Sequence, residues 1–351
     1  MSLAAPWSYP APQGARAGTV EVALLRSDAL AGNPLGDPDV RHTPVYLPPG
    51  HNAHPDRRYP VVYWLHGFTG TAMAGLAWRP WEPSLPELMD RASAATGREA
   101  ILVLVDGFTR YGGSQYVNSS YNGRYEDYLV HDVVSFIDAR YRTLAEPAGR
   151  VIAGKSSGGY GALVLGMRHP DVFGGLASIS GDAYFELCFK PDFPKALELI
   201  ARHGGGDAGV RAFLDALLAA PRKSGEYVAA LSSVFAMAMA YSPNADSALG
   251  FDLPFDPHTG ELRPDVWAHW EAADPVHMAP RCVDNLRRLR LIYFEAGTRD
   301  EFNLQYGARI LSRRLEQLGI THQHVEFDDG HPGVNYRYEP LFRLLLERLP
   351  Q

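Results

Sequence analysis

Cysteine is scarce in this chain of 351 residues: Cys188 and Cys282 are the only two. Their distance in sequence and lack of metal-type spacing exclude a disulfide framework and a cysteine zinc site, leaving both as apolar filler. Long apolar runs are missing as well. No stretch approaches the roughly 20 residues a membrane span needs, so no membrane partner is expected. Positive charge is not in excess either. A formal net charge of −7 offers nucleic acid no electrostatic footprint. The opening residues lack a basic region followed by an apolar core, so a cytoplasmic chain is expected. There is no internal repeat, and no cluster of ligands calls for a metal or another cofactor.

What is present is an ordinary globular composition, 46% hydrophobic and 21% charged, in a chain long enough for a large core. The length allows two domains, or one large α/β domain with an insertion. Short apolar runs alternate with helical patterns. Pro60–Leu65, Ile101–Val105, Val151–Ala153, Phe173–Ser180, Leu291–Phe294 and Gln323–Phe327 read as strands. Thr19–Leu25 and Thr43–Leu47 read as two earlier ones, with the polar residues 51–59 as an exposed hairpin connection. Between them, Leu129, Val133 and Ile137 recur every four residues, and Leu304 to Leu318 repeat at fours and threes. This alternation predicts a mainly parallel sheet with helices on both faces. Residues 183–280 break the rhythm. The expected division is an N-terminal arm and first strand (1–40), a core (41–182), a mostly helical lid (183–280) and the rest of the core (281–351).

One stretch organises the chemistry. Gly154-Lys155-Ser156-Ser157-Gly158 matches the Gly-x-Ser-x-Gly elbow, between an apolar strand and a glycine-rich helix start. A sharp turn there holds Ser156 clear of the sheet at a helix N-terminus, where backbone N–H groups favour developing negative charge. The simpler alternative is a glycine-rich turn with a serine cap. Two further polar groups follow core strands: Asp300 after Leu291–Phe294, and His331 in Gly330-His331-Pro332-Gly333. Strand-end positions bring all three to the carboxyl edge, where ligands of parallel sheets bind. Their order is nucleophile, acid, histidine, the α/β-hydrolase order. A serine hydroxyl needs a base, His331, and an imidazole needs a carboxylate to orient it, assigned to Asp300. Glu301, Glu295 and Asp274 are rivals for the acid, and His322, His324, His269 and His277 for the base. After Pro60–Leu65, the His66-Gly67-Phe68-Thr69-Gly70 loop leaves amides free, so Phe68 N–H and Ser157 N–H are the expected oxyanion hole. His66 itself is expected to be buried and to orient that loop. Trp78–Trp81 is expected to line a pocket or cap the core, and the polar, aromatic stretch 112–123 to touch substrate.

Taken together, His66–Gly70, Asn122–Asp127, Gly154–Gly161, Gly297–Asp300 and Gly330-His331 resemble the putative-esterase (esterase D-like) family of α/β-hydrolases. That family includes S-formylglutathione hydrolases, feruloyl esterases, enterochelin esterases and mycolyltransferases. The resemblance covers about residues 40–180 and 285–350 and leaves 183–280 to set substrate choice. It implies a Ser156–Asp300–His331 triad, an oxyanion hole at Phe68 and Ser157, a small-molecule ester as partner, and no cofactor. The expected activity is a serine carboxylesterase. Acyl transfer, feruloyl-type or thioester hydrolysis, and a non-catalytic binding protein on a hydrolase fold are the alternatives.

Overall fold

A computed structural model of the chain describes residues 18–77 and 82–351. The arm over residues 1–16 and the Trp78–Trp81 loop fall outside them. The main sheet has eight strands. These are β1 (Thr19–Arg26), β2 (Val40–Leu47), β3 (Val61–Leu65), β4 (Ile101–Val105), β5 (Arg150–Lys155), β6 (Gly175–Ile179), β7 (Leu291–Gly297) and β8 (Gln323–Phe327). Their order is β1-β2-β4-β3-β5-β6-β7-β8. The β1–β2 and β2–β4 pairs are antiparallel and all the others parallel.

Residues 51–59 are not a hairpin connection. A hairpin joins neighbouring antiparallel strands, whereas β4 lies between β2 and β3 and runs parallel to β3. The chain crosses over instead, starting with the helical turn Gly50–Ala53, in which His51 is buried.

Every residue of β3 and β4 is buried, as expected for strands covered on both faces. Side-chain alternation divides the core in two. Val62 and Trp64 point to one face, where α1 (Leu85–Thr96) and a C-terminal helix (Tyr338–Arg348) pack through Met89, Phe342 and Leu345. Val61, Tyr63 and Leu65 point to the other. That face is covered by the helical run 125–140, which contains a π-turn at Tyr128–Val133, and by the elbow helix Ser157–Arg168.

After β6 the next hundred or so residues are mostly helical. They include Phe193–Arg202, Gly206–Ala219, a run over 225–241 and Pro264–Ala273. The run over 225–241 has a second π-turn, Leu231–Phe235. The buried aromatics of the whole helical segment, among them Phe185, Tyr241 and Trp270, belong to the same hydrophobic cluster as the sheet face beneath. This segment therefore shares the core and does not build its own. No helix among the described residues is long and apolar enough to cross a membrane.

Candidate active site

The site is built at the carboxyl ends of β3, β5, β6, β7 and β8. At the end of β5, Ser156 has φ 58° and ψ −127°, a backbone state few residues other than glycine adopt. The strain is held from both sides. A Cβ on Gly154 would lie 2.5 Å from backbone atoms of Gly158, and a Cβ on Gly158 would overlap the Leu65 carbonyl. These two positions therefore need glycine for close approach of backbone to backbone.

Beyond β8, His331 Nε2 lies 3.0 Å from Ser156 Oγ, and its Nδ1 lies 2.9 Å from Asp300 Oδ2. Asp300 is 3% exposed and His331 8%. With the Nδ1 proton donated to Asp300, Nε2 is left to accept the serine hydroxyl proton. Phe302 N–H donates to the other Asp300 oxygen at 2.9 Å. The Phe302 ring stands edge-on to the imidazole at 4.8 Å.

The rivals for the acid have other uses. Glu301 accepts the backbone N–H of His331 at 2.6 Å, so consecutive carboxylates hold one histidine by its ring and by its backbone. Glu295 is buried and takes two hydrogen bonds from the Arg337 guanidinium, at 3.0 and 2.6 Å. Asp274 accepts the amides of Tyr184, Phe185 and Val276, and His277 pairs with Glu186. Among the rivals for the base, His322 faces Ser312, and His324 lies against the Phe294 ring. None of them reaches Ser156.

The β3 loop lies directly against the serine: a Cβ on Gly67 would come within 3.3 Å of Ser156 Cβ. His66 is braced by Gly67 O on Nδ1 and by Gly107 N–H on Nε2, both at 2.9 Å. Neither Phe68 N–H nor Ser157 N–H has an acceptor among the described residues. The stretch 112–123 does not touch the cavity. It packs behind the loop, with Gly112 and Gly113 against the Phe68 ring and Tyr116 O–H donating to His66 O at 2.8 Å. The Tyr116 ring is more stable buried under the β3 loop than facing solvent.

A cavity of about 490 Å³ opens at Ser156. One wall comes from the β3 loop, Trp64 and Leu85, and the other from Cys188, Phe189, Val228 and Ser233 of the helical segment. Three charged residues in this lining, Glu82, Lys155 and Asp182, were not picked out as site residues from sequence. Lys155, one residue before the serine, has no ion-pair partner within 4 Å among the described residues. Burial lowers its pKa, opposed by Asp300 and Glu301. Asp182 follows β6. Burial pushes its carboxyl up to about 6, although Gln115 and His331 act to lower it. The only sequence signal for Asp182 was its place just after a core strand.

Fold and site together define an α/β-hydrolase with a serine, histidine and aspartate in hydrogen-bond contact at the carboxyl edge. A family model described as "Putative esterase" matches residues 38–339, and the chain belongs to that family. Among curated relatives, an endo-1,4-beta-xylanase/feruloyl esterase of Xylanibacter ruminicola is 29% identical over 188 residues, 51% of this chain and 25% of that protein. An esterase of Mycobacterium tuberculosis is 31% identical over 128 residues, 36% of this chain and 26% of that one. The chain thus spans about a quarter of the length of these relatives. A solved ferulic acid esterase superposes with TM-score 0.58 at 19% identity, covering 94% of this chain and 98% of its own. An S-formylglutathione hydrolase from Agrobacterium tumefaciens gives 0.55 at 17%, covering 95% and 96%. At these identities the structural likeness speaks for the fold.

Proposed function

We propose that this chain hydrolyses carboxylic esters through an acyl-enzyme on Ser156. His331 takes the hydroxyl proton as the oxygen attacks the ester carbonyl, then gives it to the departing alcohol. Asp300 holds the ring in the required tautomer and offsets the charge of the imidazolium. The amides of Phe68 and Ser157 receive the negative oxygen of the tetrahedral intermediate. Each such donor is worth about 3–4 kcal/mol of barrier. Water, deprotonated by His331, then releases the acid. The helical segment acts as a lid whose inner face selects the substrate. The relatives named esterase and feruloyl esterase agree with this chemistry.

The observation that carries the reading is the continuous Ser156–His331–Asp300 relay, beside two amides without acceptors and a cavity able to hold a small ester. The test is hydrolysis of p-nitrophenyl acetate and butyrate, with fluorophosphonate labelling of the protein. Ester turnover and labelling are expected in the native chain, and Ser156→Ala should lose both. Full turnover in that variant would refute the assignment.

A further inference from the structure

Asp182 is a buried charge that the proposed relay does not use. It is 7% exposed and lines the cavity at Ser156. Its Oδ2 accepts from Gln115 Nε2 at 3.0 Å, and the same nitrogen donates to Tyr241 O–H at 3.0 Å. No Lys, Arg or His lies within ion-pair distance of it among the described residues. Buried carboxylates are ordinarily paired or fully hydrogen-bonded, because desolvation costs several kcal/mol. Here only one oxygen has a donor among the described residues. The other has none, yet is not among the fully occluded atoms, so it keeps access to the cavity. Behind it, Gln115 is 1% exposed with its Oε1 buried and unpartnered. The local supply of acceptors exceeds that of donors.

The backbone around this carboxylate is also strained. Ser180 (φ 45°) and Tyr184 (φ 58°) flank Asp182 in sequence, and Gln115 (φ 55°) meets it in space. Such non-glycine residues are costly and collect where surrounding structure enforces a functional geometry. The cavity's helical wall adds Ser233, 2% exposed, whose hydroxyl has no protein partner among the described residues. It sits on the π-turn Leu231–Phe235, a helix defect that recurs at functional sites.

We infer that Asp182, with Ser233, forms a subsite for a hydroxyl group of the ester substrate, the hydroxyl donating to the free Asp182 oxygen. The inference rests on the ester-hydrolase reading and specifies its substrate class: neutral esters with a free hydroxyl, in preference to their deoxy counterparts. A cationic probe is the control, because the same lining carries the carboxylates of Asp182 and Glu82 as well as the ammonium of Lys155. A hydrogen bond to a buried charge that only the hydroxylated substrate satisfies discriminates by about tenfold or more.

The test uses the full chain and matched esters. Ethyl 3-hydroxybutyrate is set against ethyl butyrate, glyceryl monobutyrate against propyl butyrate, and butyrylcholine is the cationic probe. The readout is the ratio of kcat/KM within each pair. A ratio of about ten or more is expected in at least one pair, falling toward one in Asp182→Asn. Ser233→Ala should lower the same ratio in part, and it decides the matter if Asp182→Asn does not fold. Ratios near one in both pairs, or a preference that survives both substitutions, would overturn the subsite while leaving the hydrolase reading intact. Preference for butyrylcholine would overturn it in favour of a cation site. No turnover of any ester and no fluorophosphonate labelling would overturn both.

Discussion

Replacing Asp182 by Asn removes a charge that destabilises the fold. Burial moves the carboxyl from 3.8 to about 6. The folded state therefore holds the proton more tightly than the unfolded chain does. Well below pH 3.8 both states are protonated and the charge costs nothing. As the pH rises the unfolded chain releases its proton first, the cost grows through pH 6, and above that it is constant. Each pH unit between the two values is worth ~1.4 kcal/mol. The ionised side chain thus costs about 3 kcal/mol at pH 7.5 and about 1 kcal/mol at pH 4.5. Asparagine has nearly the same shape and still accepts from Gln115 Nε2. The effects of His331, Asp300 and Asp274 on this carboxyl are already contained in its raised pKa and add nothing further. Urea unfolding of both proteins at the two pH values measures it. The variant is expected to be the more stable by about 3 kcal/mol at pH 7.5, the gap shrinking to about 1 kcal/mol at pH 4.5. A gap that does not change with pH, or a variant less stable at pH 7.5, would refute the argument. A gain in stability together with lost hydroxyl preference would fit a functional residue kept at the expense of the fold.

Asp300→Asn should lower kcat by about three to four orders of magnitude by leaving the imidazole in the wrong tautomer; a loss below about tenfold would mean another carboxylate serves. Glu301→Gln weakens the grip on the His331 backbone, so kcat should fall about three- to tenfold with KM nearly unchanged, and an unchanged kcat would remove Glu301 from the positioning role. Gly158→Ala drives a Cβ into the Leu65 carbonyl and should cost more than about 2 kcal/mol of stability along with most activity; a stable, fully active variant would contradict the elbow geometry. Arg337→Met leaves Glu295, whose side chain is 1% exposed, without its partner, and thermal unfolding should show a loss of about 3 kcal/mol or more.

Sequence periodicity determined much of this molecule. Unbroken apolar runs of strand length, such as Val61–Leu65 and Ile101–Val105, belong only in a sheet covered on both faces, and the helical stripes between them supply the cover. The elbow was legible because Gly154 and Gly158 sit where backbone must touch backbone, a requirement local to a few residues. Ser156 and His331 stood out for the same reason, each in a short turn beyond a strand.

Tertiary structure decided what depends on elements far apart in the chain. Asp300 was favoured in sequence over three rival carboxylates by its place beyond the strand, but the separation of ring from backbone contacts between Asp300 and Glu301 is set by how β7 and β8 lie side by side. The stretch 112–123 looked suited to substrate, yet packing behind the β3 loop buried Tyr116, and Tyr121 packs against Phe251. Asp182 meets Gln115 across 67 residues and lines the same cavity as a helix some fifty residues further on. Local pattern carries the hydrophobic period and the strain of a turn. Which buried charge is left without a partner depends on the long-range packing that removes water from around it.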